Sequence, residues 1–246
     1  MAGKKRSGLA NDRRAYGCGR CYTPTPTPTP TPCGVINIAS IATNDGEGTY
    51  TLNGNYTITE CQILNIPLGT TLLITEGKTL TNNGTINNDV GGYIYNSGTI
   101  DNNTGGTINN SGYYYNYNPG GIINNSGTFN NNGYIYNNPG GIVNNSGTIT
   151  ISGYGTIYND TGATINNTNI IKNTSFIYND GVTNNNTGGF IYTYGNGTTT
   201  NNGIINNNPG GTISTANGLS TCGLGTSAGS GTTNNSGTIN TNCPPP

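Results

Sequence analysis

The chain has 246 residues, of which 30 % are hydrophobic and 7 % charged; it carries 41 glycines, no histidine and a formal net charge of −1. Globular domains ordinarily reach roughly 45–50 % apolar residues, so the composition argues against a compact two-layer core. It also excludes imidazole-based catalysis and any strongly single-signed surface over the chain as a whole.

Charge is uneven along the sequence. Lys4, Lys5, Arg6, Arg13, Arg14 and Arg20 lie in the first twenty residues, while only Lys78 and Lys172 follow. Residues 1–22 are read as a basic, Cys-containing leader, either a solvated extension or an anchor for an acidic surface or nucleic acid. No apolar stretch follows residues 4–6, and no run of about 18 apolar residues occurs, so neither a secretory signal nor a membrane span is expected. Residues 23–33 are five Thr-Pro pairs closed by Cys33. Alternating prolines fix φ and remove donors, which predicts a polyproline II spacer about 31 Å long.

From Val35 the pattern turns strand-like, with Val35-Ile36-Asn37-Ile38, Tyr50-Thr51-Leu52, Tyr56-Thr57-Ile58 and Ile63-Leu64. Residues 34–69 are therefore read as N-terminal cap strands. Residues 70–215 are read as the repeat and residues 216–246 as a C-terminal cap and tail. The small repeat unit is Gly-Thr-Ile-x-Asn, as in Gly84-Thr85-Ile86-Asn87-Asn88 and Gly106-Thr107-Ile108-Asn109-Asn110.

A larger unit contains it. Tyr93-Ile94-Tyr95 returns as Tyr113-Tyr114-Tyr115, Tyr134-Ile135-Tyr136, Thr156-Ile157-Tyr158 and Phe176-Ile177-Tyr178, at steps of 20, 21, 22 and 20 residues. Three short strands per 20–22 residues predict one rung of a three-sided parallel β-helix, starting near Thr71, Gly92, Gly112, Gly133, Gly155 and Ser175. Past Thr183 the spacing drifts and no register is assigned. Alternation sends Ile86, Ile94, Ile100, Ile108, Phe129, Ile135, Val143, Ile149, Ile157 and Ile165 inward. Glycine supplies positive φ at the corners, and asparagines there are expected to form hydrogen-bonded ladders.

The run from Leu72 to Ile86, Leu-Leu-Ile-Thr-Glu-Gly-Lys-Thr-Leu-Thr-Asn-Asn-Gly-Thr-Ile, resembles the right-handed parallel β-helix repeats of microbial surface and giant-virus proteins. That resemblance spans residues 70–215. It implies the architecture, an all-β, right-handed solenoid.

Residues able to carry chemistry are sparse. Asp101, Asp160 and Asp180 read as replacements for a corner asparagine, and no nucleophile–base pair or paired carboxylates can be assembled. The expectation is a protein without catalytic activity, cofactor or metal. Six cysteines remain: Cys18, Cys21, Cys33, Cys61, Cys222 and Cys243. Cys18-x-x-Cys21 lacks a second CxxC or a histidine, so disulfides are favoured over zinc. Cys222 and Cys243 are placed to clip the C-terminal end, and Cys18, Cys21 and Cys33 to bridge to neighbouring subunits.

Sequons occur at Asn55, Asn83, Asn102, Asn109, Asn124 and Asn144, read either as glycan sites or as corner sequence. Tyr93, Tyr95, Tyr113, Tyr115, Tyr134, Tyr136, Tyr158 and Tyr178 align as one outward stripe. Two uses are open for it: bracing of neighbouring rungs by stacking, or a surface for glycans or a second solenoid. The sequence thus predicts a structural assembly protein of a virion or extracellular surface. Its expected partners are its own copies or coat subunits, with no specific nucleic-acid recognition; the alternative is a glycan-binding adhesin.

Overall fold

The computed structural model describes residues 33–117, 120–215, 226–228, 232–235 and 238–240. It is an all-β, three-sided parallel β-solenoid, as the repeat predicts. One turn consists of Tyr93–Asn96, Thr99–Asn102 and Thr107–Asn110. The next consists of Tyr113–Asn116, Ile122–Asn125 and Thr128–Asn131, paired in parallel and in register with the first. Stacked turns build three sheets of ten, nine and ten strands. They are called here the tyrosine face (containing Tyr93–Asn96), the ladder face (Thr99–Asn102) and the threonine face (Thr107–Asn110).

In the strands of this turn half-buried and buried positions alternate, and most later strands keep the pattern. The second residue points inward, and all ten side chains expected there, from Ile86 to Ile165, are at most 5 % exposed. The fourth residue also points inward, and it is usually asparagine. Asn82, Asn102, Asn125, Asn145, Asn167, Asn185 and Asn207 form one such column, all buried. Each of the first six donates from Nδ2 to Oδ1 of the next, at 2.7–2.8 Å. The second Nδ2 proton goes to a backbone carbonyl across the corner, as from Asn102 to Thr128 (3.0 Å) and Asn125 to Thr148 (3.1 Å). An amide with two donors and one acceptor is thereby satisfied inside the core, where an unpaired one would cost about 1–3 kcal/mol. This is how a chain so poor in apolar residues closes an interior.

The ladders also explain two exceptions. Oδ1 of Asn88 and Oδ1 of Asn96 are buried without a partner. Both begin their columns: the register places Ile66 below Asn88 and Ile74 below Asn96, and neither can donate.

Glycine serves two purposes at the corners. In the Asn-Pro-Gly-Gly corner, Gly140 takes φ +81°, the left-handed region that favours glycine. In the short Asn-Ser-Gly corners φ is ordinary. There a Cβ on Gly147 would overlap the carbonyl oxygen of Gly127 one turn below. Close approach of stacked backbones, which the composition does not reveal, is the second reason for so many glycines.

At the N-terminal end, Ala42–Asn44 lies antiparallel on Thr49–Leu52, and Gly34–Ile36 extends the threonine face by pairing with Gln62–Ile66. Parallel stacking already begins at Thr49–Leu52, which pairs with Thr71–Ile74. The segment 34–69 therefore holds the first turn as well as a cap. Register also continues past Thr183: Phe176–Asn179 pairs with Thr198–Asn201, and Val182–Asn185 with Ile204–Asn207. The repeat is masked in sequence because Thr183 and Thr199 occupy buried positions held elsewhere by isoleucine. The leader 1–22 and the Thr-Pro pairs 23–32 lie outside the described residues, as do Cys18, Cys21, Cys222 and Cys243.

Candidate functional site

The tyrosine face carries the most distinctive chemistry. Its strands are aromatic because positions one and three point outward, where β-branched and aromatic side chains pack well on a pleated surface. Register then aligns them. Tyr95, Tyr115, Tyr136, Tyr158 and Tyr178 form one unbroken column, with successive ring centroids at 4.9, 4.8, 4.9 and 5.1 Å and interplanar angles of 6–9°. Beside it, Tyr93, Tyr113 and Tyr134 stack at 5.1 and 5.2 Å. This second column is interrupted at Thr156 and resumes at Phe176. All eight predicted tyrosines are thus brought together.

Ring orientation decides what the face offers. Coplanar rings cannot approach to 4.9 Å without overlapping, so each ring turns its face toward the next turn. Within one strand the rings stand parallel, side by side at 6.2–6.3 Å. The π-faces are consumed in offset stacking, a contact that adds about 0.5–1.5 kcal/mol per pair beyond area burial. Ring edges and hydroxyls form the outer surface. Partial burial and then the surrounding phenols push the Tyr115 hydroxyl up to about 12. Tyr95, Tyr136 and Tyr158 move upward too, chiefly from burial.

Two aromatics escaped the pattern. Tyr117, just past its strand, stacks on Tyr95 and Tyr115 at 5.7 and 5.6 Å. Tyr114 points inward, fully buried between Ile94 and Ile135, and its hydroxyl has no partner. Burial raises its pKa well above the ordinary phenol value. The alternation of Tyr113-Tyr114-Tyr115 is the signal that marks Tyr114 as interior.

The ladder face carries a second ordered feature. Asn124 donates to Asp101, Asn144 to Asn124, and Asn166, Asn184, Asn206 and Asn234 continue the series at 2.8–2.9 Å. These outward amides donate toward the N-terminal end, opposite to the inner column, and the series ends on a carboxylate that only accepts. Asp101 does replace an asparagine, but inside a strand and not at a corner. Asp160 and Asp180 do follow strands at corners. Asp160 is raised by burial and then by Asp180, and Asp180 accepts from Asn202 at 2.9 Å.

The sequon asparagines fall into three environments. Asn55 is exposed and accepts from the Thr79 N–H at 2.9 Å. Asn83, Asn109, Asn124 and Asn144 are half-buried, each bonded to an amide or carboxylate of an adjacent turn. Asn102 is a correction: it is 0 % exposed, with Nδ2 bonded twice, so the folded chain cannot present it for glycosylation. A second correction concerns Cys33. It is bonded to Cys61 within the chain, which removes it from the set expected to bridge subunits.

One cavity lies in the interior toward the C-terminal end. It measures about 240 Å³ and is lined by Ile171, Ile177, Thr183, Ile191, Thr199 and Ile205, among others. Threonines at isoleucine positions leave it unfilled. Among the described residues, no cluster of three or more His, Cys, Asp or Glu side chains is placed to hold a metal, and no helix is long and apolar enough to cross a membrane.

These features define the class: a three-sided parallel β-solenoid repeat protein. No protein-family model and no curated protein sequence matches the chain. Among solved structures, it is similar to the crystal structure of a TibC-catalysed hyper-glycosylated fragment of TibA, residues 55–350. That likeness has 18 % identity over 78 % of this chain and 84 % of that one, with a TM-score of 0.21.

Proposed function

We propose that the chain is a non-catalytic structural shaft, built into a virion or surface fibre and anchored through its N-terminal arm. The observation that carries this reading is the axial stacking of the tyrosine column, which spends the aromatic faces on joining one turn to the next. Inner and outer amide ladders act in the same direction. The solenoid's Asp101 and Asp180 are absorbed into the same side-chain hydrogen bonding, as acceptors from Asn124 and Asn202. The disulfide between Cys33 and Cys61 ties the end of the Thr-Pro arm to the first turn, as transmission of load from an anchor would require.

The reading is tested by electron microscopy of the native material, in which antibody to the chain should label ordered fibres or particle shells. Label confined to dispersed single molecules would contradict it.

A glycan-binding adhesin is the second reading, favoured by the length of the aromatic stripe. Sugars stack on exposed ring faces, however, and here those faces are covered except at the column ends. Glycan-array binding that disappears in Tyr93→Ala and Tyr134→Ala would establish this reading over the first.

A further inference from the structure

We infer that the tyrosine column from Tyr95 to Tyr178 is a site of oxidative cross-linking, where dityrosine bonds form between successive turns of one chain. The structural reading does not assign such chemistry. The argument begins with register. Parallel in-register pairing makes each turn close to a translation of the one below, so equivalent atoms of stacked phenols repeat at about the centroid spacing of 4.8–5.1 Å. The ring carbons ortho to the hydroxyl, Cε1 and Cε2, therefore face their counterparts along the whole column. Neighbouring strands lie about 4.7–4.9 Å apart, a separation that rotation about χ1 and χ2 can convert into ring-to-ring contact. No backbone pairing need break.

The chemistry is that of a peroxidase-type oxidant, which the assembly's surroundings would supply as an enzyme with hydrogen peroxide. Each of two neighbouring phenols gives up one electron and one proton, leaving two phenoxyl radicals. Their ortho carbons join in a new C–C bond, and the hydrogen on each of those carbons moves to the ring oxygen, restoring both aromatic rings. Two tyrosines and one H₂O₂ yield one dityrosine and two waters. Stacking holds the partner phenol against the first radical before it diffuses, and the outward edges leave the hydroxyls open to the oxidant. The side-by-side neighbours at 6.2–6.3 Å and Tyr117 give a radical further places to reside. The column couples where two radicals meet.

Three substitutions isolate the geometry from the composition. Tyr113→Phe, Tyr115→Phe and Tyr158→Phe together break every tyrosine–tyrosine step within both columns and keep every ring in its stack. Fourteen of the seventeen tyrosines remain (17 − 3). The full-length chain and this triple variant are treated with a peroxidase and hydrogen peroxide, and dityrosine fluorescence is read from the monomer band. The wild-type chain treated in denaturant provides the same tyrosine content without the stack.

The expected result is a loss of about threefold or more in both the triple variant and the denatured chain, because each loses the stacked pairs of phenols within the columns, the variant by removing hydroxyls and the denatured chain by losing the stack. Peptide mapping should place the coupling between turns, as in Tyr115 to Tyr136. A loss no larger than the fall from seventeen to fourteen tyrosines would overturn the inference. So would dityrosine found only in cross-linked dimers through the exposed Tyr154, which is 82 % accessible.

Discussion

Asn124 and Asn125 are neighbours in sequence with the same side chain, and the fold sends them to opposite sides of the ladder face. Asn125 is 1 % exposed. It donates to Asn145 Oδ1 at 2.7 Å and to the Thr148 carbonyl at 3.1 Å, and accepts from Asn102 Nδ2 at 2.7 Å. Asn125→Ala removes all three bonds and strands Asn145 Oδ1 without a donor, since nothing else reaches it from the turn below. With about 1 kcal/mol for each bond and 1–3 kcal/mol for an orphaned buried group, the loss comes to about 4–6 kcal/mol. Asn124→Ala removes two bonds, to Asp101 and from Asn144. Those partners are half-buried, water replaces the amide, and the cost is about 0.5–1 kcal/mol. Urea unfolding of the two variants, followed by far-ultraviolet circular dichroism, measures the difference. Equal losses, or a larger loss for Asn124→Ala, would refute the claim that buried amide ladders hold the interior together.

Other outcomes follow from single features. Tyr114→Phe deletes a buried hydroxyl without a partner and should raise stability by about 1 kcal/mol, read as a higher thermal midpoint. Thr183→Ile fills part of the C-terminal cavity. It forfeits only a bond to Asn179 Oδ1, which also accepts from Asn159, so a gain of about 1 kcal/mol is expected by calorimetry. Alkaline titration tests the phenols. The hydroxyls of Tyr95, Tyr114, Tyr115, Tyr136 and Tyr158 are raised above the ordinary 10.0, Tyr115 to about 12, so at these groups the folded state holds protons that the unfolded chain releases. Stability should be level below pH 10 and fall as pH rises from there toward 12, in step with phenolate absorbance; a rise in that window would contradict the assignment.

Much of the fold was legible because one signal is repeated many times. Each inward Ile and each tyrosine is fixed by alternation within a strand and by a return one turn later, and two such periods leave little freedom. The asparagines were harder. In Asn-Asn pairs such as Asn124-Asn125 the two residues look equivalent, and only counting two positions on from the inward Ile123 shows that Asn125 is inside. That count was available, and it would have removed Asn102 from the glycan sites. The turns after Thr183 stayed hidden because inward Thr183 and Thr199 erase the apolar half of the pattern while backbone pairing continues unchanged. The bond between Cys33 and Cys61 has no local signature. It depends on where the chain enters the first turn, information carried by strand pairing and not by spacing.

As a shaft, the solenoid would transmit force within a larger assembly. Electron cryomicroscopy of that assembly in its native state tests this role most directly. The three-sided solenoid should appear as a repeated element of an ordered fibre or shell, with successive turns about 4.8 Å apart and the arm directed into its anchor. Material in which the chain appears only as separate molecules, unattached and without order, would contradict it.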